Sequence, residues 1–451
     1  MKINRFLSIL LISIFCVTNF LTANIAANES EELGLPEFPE IASRNVVVMD
    51  ADSREVLYSS NQDIRCYPAS TTKLLTALLT LENCSLDDEI TFSQSAVDSI
   101  EYGDANASIV PGETLTIDQA LHCLLLRSAN EVAYGLAEEV SGSVSAFAAL
   151  MNSKVESIGA ANTHFTNASG LTDEFHYTTP YDMALIASEC FNSKELMKIA
   201  GYSGLYTIAP TNKSNFTRYY KPRYEMLEGG EYAYQYAVGG KTGYTDAAGN
   251  CLVSFAQKDD LRLVCVIFKS TSADCYTDTT ALFDYYLNNY HKIFIEKYDA
   301  GISDSEIDLL SLIGELEAST YSLGFKTGTY ILVPNIVKEQ NLDTIITYSD
   351  SPAYVGKEGG FACVSFFYEG INVGKATIYI NSSLPDDNLP GTNGVVRRGQ
   401  NDILKDSDFF YINIWLIAGI TLLIASLVTV VIILVRKKHH HVNYGSSKIH
   451  F

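Results

Sequence analysis

Residues 67–80 read "YPASTTKLLTALLT" and place a serine and a lysine three apart at the head of an apolar helix. Pro68 suits a first helical turn, and the run from Leu74 to Leu79 is rich in strong helix formers. Positions three apart lie on one helix face, so Ser70 and Lys73 are neighbours in space. A capping serine beside a solvated lysine is the ordinary meaning of one such pair. What overturns it is the rest of the chain, which supplies two more short motifs in order.

The first is Ser128-Ala129-Asn130 in "LLLRSANEVAYGLAE", and the second is Lys241-Thr242-Gly243 in "VGGKTGYTDAAGN". They follow at intervals of about 55 and about 110 residues. A serine hydroxyl becomes a good nucleophile only when a base takes its proton. Lys73 can serve only as a neutral amine, and burial together with the positive charge of Lys241 pushes it that way. At a helix N-terminus the Ser70 backbone N–H is free to face a developing oxyanion. Lys241 and Thr242 suit a terminal carboxylate, one as a fixed cation and one as a hydroxyl donor. Gly243 permits close approach of a backbone.

S-x-x-K, S-x-N and K-T-G in this order resemble the penicillin-binding serine D,D-peptidases and their β-lactamase relatives. The longer stretches "YPASTTKLLTALL", "FTNASGL" with "TTPYDMALIA", and "GGKTGYTDAAGNCLV" look like the low-molecular-mass D-alanyl-D-alanine carboxypeptidases, over most of residues 40–295. The resemblance implies Ser70 as nucleophile, Lys73 as general base and Ser128 as proton relay to the leaving group. It also implies that Asn130 holds the substrate amide and that the Tyr244 N–H is the second oxyanion donor, on a strand that takes the substrate as an added strand. Implied partners are peptidoglycan stem peptides ending in D-Ala-D-Ala and β-lactams that acylate Ser70. No metal and no organic cofactor is implied. His176 and Asp182 match family positions near the site, and a packing role is the expectation for both. One departure stands out: where the family often has an arginine after the last strand, this chain has Cys275. Lys269 is a candidate substitute, whereas Arg262 is expected on the wrong face of its strand.

Two other readings compete. A class A β-lactamase needs a glutamate followed by Leu-Asn, and neither Glu156 nor Glu174 has that context. A β-lactam receptor needs a cytoplasmic effector domain, and only Arg436–Phe451 is expected inside; a non-catalytic β-lactam-binding wall protein needs a dead site, and all motif residues are intact. A D,D-endopeptidase of cross-links is the nearer alternative. A second K-T-G, Lys326-Thr327-Gly328, lacks spaced partner motifs and reads as coincidence.

The fold class expected is α/β (α+β). A β-lactamase/transpeptidase-like domain with an antiparallel sheet and a helical subdomain spans 38–298. "NVVVMDADSREVLYS" reads as a hairpin, residues 84–200 as mostly helical, and strands fall near 236–243, 251–257 and 261–268. "TDTTALFDYYLNNYHKIF" reads as a closing helix. From 302 to 381 short alternating segments predict a small β-sandwich domain, followed by a linker over 382–411.

Both ends carry membrane signals. Lys2 and Arg5 precede an apolar run, Phe6–Leu21, and small residues follow, which is the layout of a signal peptide over 1–27. Ile414 to Val435 is uncharged and as a helix spans about 33 Å, enough for a transmembrane helix. Arg436, Lys437 and Lys438 assign residues 436–451 to the cytoplasm. The expected location is a bacterial cell membrane, single-pass, with the catalytic domain extracytoplasmic. Between these ends, residues 28–435 hold 25 basic and 53 acidic residues, a net charge of −28. No basic stripe exists to hold nucleic acid, which excludes that class. Nine cysteines show no C-x-x-C spacing, which argues against a zinc site and leaves disulfide pairing open.

Overall fold

The structure is a computed structural model, and it describes residues 36–295, 321–348 and 362–382. The signal sequence, the linker beyond Ser382, the apolar run 414–435 and the tail lie outside the described residues. No helix among the described residues is long and apolar enough to cross a membrane.

The strands in chain order are β1 (Asn45–Asp50), β2 (Val56–Ser60), β3 (Glu89–Thr91), β4 (Thr114–Thr116), β5 (Tyr206–Ile208), β6 (Arg218–Tyr220), β7 (Ala237–Thr245), β8 (Gly249–Lys258), β9 (Leu261–Ser270), β10 (Tyr290–Phe294), β11 (Tyr321–Gly324), β12 (Tyr330–Pro334), β13 (Asp343–Tyr348), β14 (Ala362–Tyr368) and β15 (Ile371–Ser382). The central sheet has the order β2-β1-β9-β8-β7, and its neighbouring strands pair antiparallel. It matches the strands expected from sequence, with β7 to β9 each a little longer. Asn45 pairs with Phe268, so the sheet joins the two ends of the peptidase segment.

Why this sheet forms is visible in its composition. β1, β8 and β9 are near-continuous apolar runs, the mark of strands buried on both faces. Alternation sends Val47, Met49, Val253, Phe255, Val264 and Val266 to one core, shared with Leu74, Leu75 and Leu78 of the helix Lys73–Asn83. Val46, Val48, Leu252, Leu263 and Ile267 go to the other, against Leu282, Phe283 and Tyr286 of the helix Ser272–Asn289. The sheet therefore lies between two helical layers. Around the first layer pack the helices Ile117–Leu126, Asn130–Ser141, Val144–Ser157 and Pro180–Phe191. Their starts are well specified: Thr116 and Gln119 form a capping box, and Thr179 caps a helix with proline in its first turn.

One expected element ends early. The closing helix stops at Asn289, and Tyr290–Phe294 continues as β10, antiparallel to β12. "YHKIF" can extend because its ladder hydrogen bonds are supplied by Tyr330–Pro334, a partner more than thirty residues downstream and invisible to a local pattern. A four-stranded sheet, β11-β15-β14-β13, completes the small β region. Ile293, Ile331, Val364, Phe366 and Ile378 form its core. Glu369 and Gly370 both have positive φ, as a two-residue hairpin between β14 and β15 requires. The Tyr330 hydroxyl donates to Asp50 on β1, which ties this region to the central sheet.

Candidate active site

Ser70 lies in a single 3₁₀ turn, Ala69–Thr72, that leads directly into the helix beginning at Lys73. In this tighter turn positions three apart eclipse each other, which brings the two side chains closer than an α-turn does. Lys73 Nζ stands 2.9 Å from Ser70 Oγ. It also donates to Asn130 Oδ1 at 2.7 Å and to the Ser169 carbonyl at 2.5 Å. Lys73 is fully buried. Burial first, and then the charge of Lys241, holds its amine well below the usual lysine range, against a smaller opposing pull from Glu131 and Asp104.

The turn is strained and wedged. Ala69 has φ +48°, a left-handed conformation unusual for a residue with a Cβ. Two glycines press on it. A Cβ on Gly170 would sit 1.8 Å from the Ala69 carbonyl oxygen, and one on Gly243 would sit 3.1 Å from the Ser70 nitrogen. No side chain fits between them.

Ser128 also has positive φ, +62°. Its Oγ is buried and has no hydrogen-bond partner among the described residues. An orphaned hydroxyl in a cleft wall is poised for a group that arrives from outside. Asn130 opens the next helix, with its N–H donating to the Ala105 carbonyl at 2.8 Å.

Lys241, Thr242, Gly243 and Tyr244 lie on β7, the edge strand of the central sheet. Lys241 is buried, and burial followed by repulsion from Arg223 lowers its ammonium to about 7. Its Nζ donates to the Thr242 carbonyl at 2.8 Å. Tyr244 is exposed, with its hydroxyl donating to Asp246 at 3.0 Å. Ser70, Ser128, Asn130, Thr242, Gly243 and Tyr244 all line one cleft of about 940 Å³. Lys73 and Lys241 lie buried beside them. The arrangement can move a proton off Ser70, hold an extended backbone along β7 and receive an anion near Lys241.

The later Lys326-Thr327-Gly328 does not line this cleft; it is an exposed turn before β12, with Lys326 over the Tyr379 ring. His176 is buried and braces the site from behind. The Thr166 N–H donates to its Nδ1 at 3.1 Å, so the neutral ring carries its proton on Nε2 and faces Thr72 Oγ1 at 3.0 Å. Burial lowers its pKa to about 3. Asp182 accepts from Asn162 N–H and Thr163 Oγ1, a packing role. Glu156 and Glu174 are exposed and outside the cleft.

At the position of the departure, Cys275 does line the cleft, as a buried thiol that burial raises to about 12. Lys269 does not line it, and Arg262 is engaged elsewhere by Asp52 at 2.6 Å and the Phe191 carbonyl at 2.6 Å. Two arginines that no motif marks supply positive charge instead: Arg127, next to Ser128, and Arg223, in the loop after β6. Arg127 adjoins a motif and could have been noticed. Arg223, in "YYKPRYEML", carries no local signal.

Sheet, helical layers and site together define a serine-type peptidase of mixed α/β fold. A family model described as D-alanyl-D-alanine carboxypeptidase matches residues 32–272, and the chain belongs to that family. It is 31% identical over 298 residues to the D-alanyl-D-alanine carboxypeptidase DacF of Bacillus subtilis, covering 63% of this chain and 72% of that protein. A D-alanyl-D-alanine endopeptidase of Pseudomonas aeruginosa is 29% identical over 253 residues, covering 55% of this chain and 77% of the relative. The crystal structure of the D-alanyl-D-alanine carboxypeptidase DacD from Francisella tularensis shares the fold, with TM-score 0.59 at 24% identity, covering 77% of this chain and 95% of that one.

Proposed function

We propose that this protein is a membrane-anchored serine D,D-carboxypeptidase that removes the terminal D-alanine from peptidoglycan stem peptides. The observation that carries the reading is the buried Lys73 amine, 2.9 Å from the Ser70 hydroxyl and depressed in pKa. As a neutral base, Lys73 takes the Ser70 proton while Oγ bonds to the penultimate carbonyl carbon. The carbonyl oxygen becomes an oxyanion that the Ser70 and Tyr244 N–H groups receive. The C–N bond then breaks, and the proton passes through Ser128 to the amine of the departing D-alanine. Water attacks the acyl-serine, giving up its proton to the same base, and frees the shortened peptide. Asn130 holds the substrate amide, β7 pairs with its backbone, and Lys241 with Thr242 takes the terminal carboxylate. β-Lactams acylate Ser70 by the same route.

Anchoring rests on the sequence: a signal at 1–27, the apolar run Ile414–Val435 and the basic residues after it support a single span with the catalytic part outside the cytoplasm. The relative named as an endopeptidase favours one second reading, cleavage of D,D-cross-links in the same cleft.

Mass spectrometry with a pentapeptide ending in D-Ala-D-Ala tests the reaction. Loss of one alanine with wild type, and none with Ser70→Ala, is the expected result. Products appearing only from a cross-linked dimer would replace it with the endopeptidase reading.

A further inference from the structure

Behind the catalytic turn runs the segment 166–171, and one side chain organises it. Asn167 is nine-tenths buried, at 9% exposure. Its Oδ1 accepts from the Gly170 N–H at 2.8 Å, the Ser169 N–H at 3.1 Å and the Ser169 hydroxyl at 3.1 Å. Its Nδ2 donates to the Leu171 carbonyl at 3.1 Å. With the segment knotted in this way, its carbonyls are turned onto the catalytic helix. Ala168 O accepts from Thr76 Oγ1 at 2.7 Å, and Ser169 O accepts from Lys73 Nζ at 2.5 Å.

The second of these contacts bears on the chemistry. A neutral amine has two N–H bonds and one lone pair. Asn130 Oδ1 and Ser169 O are the acceptors for both N–H bonds, which leaves the lone pair for Ser70 Oγ at 2.9 Å. Take one acceptor away and the amine turns among its staggered wells, so that in some of them a hydrogen faces the hydroxyl. We infer that Asn167 is a positioning residue: through the Ser169 carbonyl it orients the Lys73 lone pair toward Ser70.

This inference rests on the acyl-serine reading above. Its test is rapid-mixing acylation of the full-length protein by benzylpenicillin, separating non-covalent affinity from the acylation rate constant between about pH 5 and about pH 10. Asn167→Ala should slow acylation by about ten- to a hundredfold with affinity within about threefold of wild type. Asn167→Asp keeps the acceptor oxygen and should restore the rate at alkaline pH. Its added negative charge should move the acidic limb of the profile to higher pH, because it favours the ammonium form. An unchanged rate constant in folded Asn167→Ala overturns the inference, as does a loss confined to affinity. If that variant does not fold, Asn167→Leu, which matches asparagine in size and carries no acceptor oxygen for the Gly170 N–H, is judged by the same criterion. Failure of wild type to be acylated at Ser70 would instead refute the underlying reaction, and the same experiment reads it.

Discussion

Gly243 of β7 approaches the Ser70 turn so closely that a Cβ on it would lie 3.1 Å from the Ser70 nitrogen and 3.0 Å from the Pro68 oxygen. Both obstacles are main-chain atoms, which cannot swing aside as a side chain can. The oxyanion pocket proposed above is therefore fixed by how closely a strand edge meets a turn.

Gly243→Ala should push strand and turn apart by a few tenths of an ångström. Acylation by penicillin is expected to fall by about ten- to a hundredfold, with a stability cost of about 1–3 kcal/mol, measured by denaturant titration. Wild-type acylation in this variant would refute the close-approach argument.

Gly170→Ala attacks the same turn from its other side and should be worse for folding. Its φ is +83°, and the new Cβ would collide with the Ala69 carbonyl. A loss of more than about 2 kcal/mol is expected, read as a lower denaturation midpoint.

The pH dependence of turnover should rise on the acid side and bend on the alkaline side. In the proposed mechanism Lys73 acts as a neutral base, and its amine is held low by burial, so acylation should increase as pH climbs through its depressed pKa. In the same mechanism Lys241 holds the substrate carboxylate as a cation, and burial followed by repulsion from Arg223 lowers its ammonium to about 7. KM for a peptide substrate should therefore increase above about pH 7, and Lys241→Arg should abolish that increase.

His176 makes stability itself depend on pH. Its folded pKa of about 3 lies below the ordinary value of 6.5, so between these values the unfolded chain binds the extra proton. Stability contributed by the neutral ring is present above pH 6.5 and is lost as pH falls toward 3. His176→Gln should flatten that slope in urea melts at successive pH values. An unchanged slope would assign acid sensitivity to other groups.

Below about pH 7, where Lys241 keeps its proton in either case, Arg223→Ala should raise KM by about tenfold with a smaller effect on kcat, because a cation lining the cleft is removed. Arg262→Gln, on a guanidinium held by Asp52, should leave both constants within about twofold.

The motif residues were legible because their chemistry is local. Ser70 and Lys73 share a turn, Ser128 and Asn130 flank a helix start, and Lys241 to Tyr244 follow one strand. The core strands were legible because burial on both faces writes itself as an unbroken apolar run. What escaped depends on partners far along the chain. The end of the closing helix at Asn289 is decided by β12, and the cationic role of Arg223 by the loop that brings it to Lys241. The "FTNASGL" stretch was readable as a resemblance, yet nothing in its letters says that the Ser169 carbonyl meets Lys73. That contact depends on Asn167, which ties the segment together, and on the close approach of Gly170 to Ala69.

The pairing of Asn45 with Phe268 also has a temporal side. A polypeptide emerging from the ribosome presents the hairpin and the nucleophile's turn long before β9 exists to hold them. Until roughly the first 270 residues have been made, β1 lacks its inner neighbour, and the strand bearing Lys241 cannot be clamped beside Ser70. The site can therefore be complete only once β9 is in place between β1 and β8.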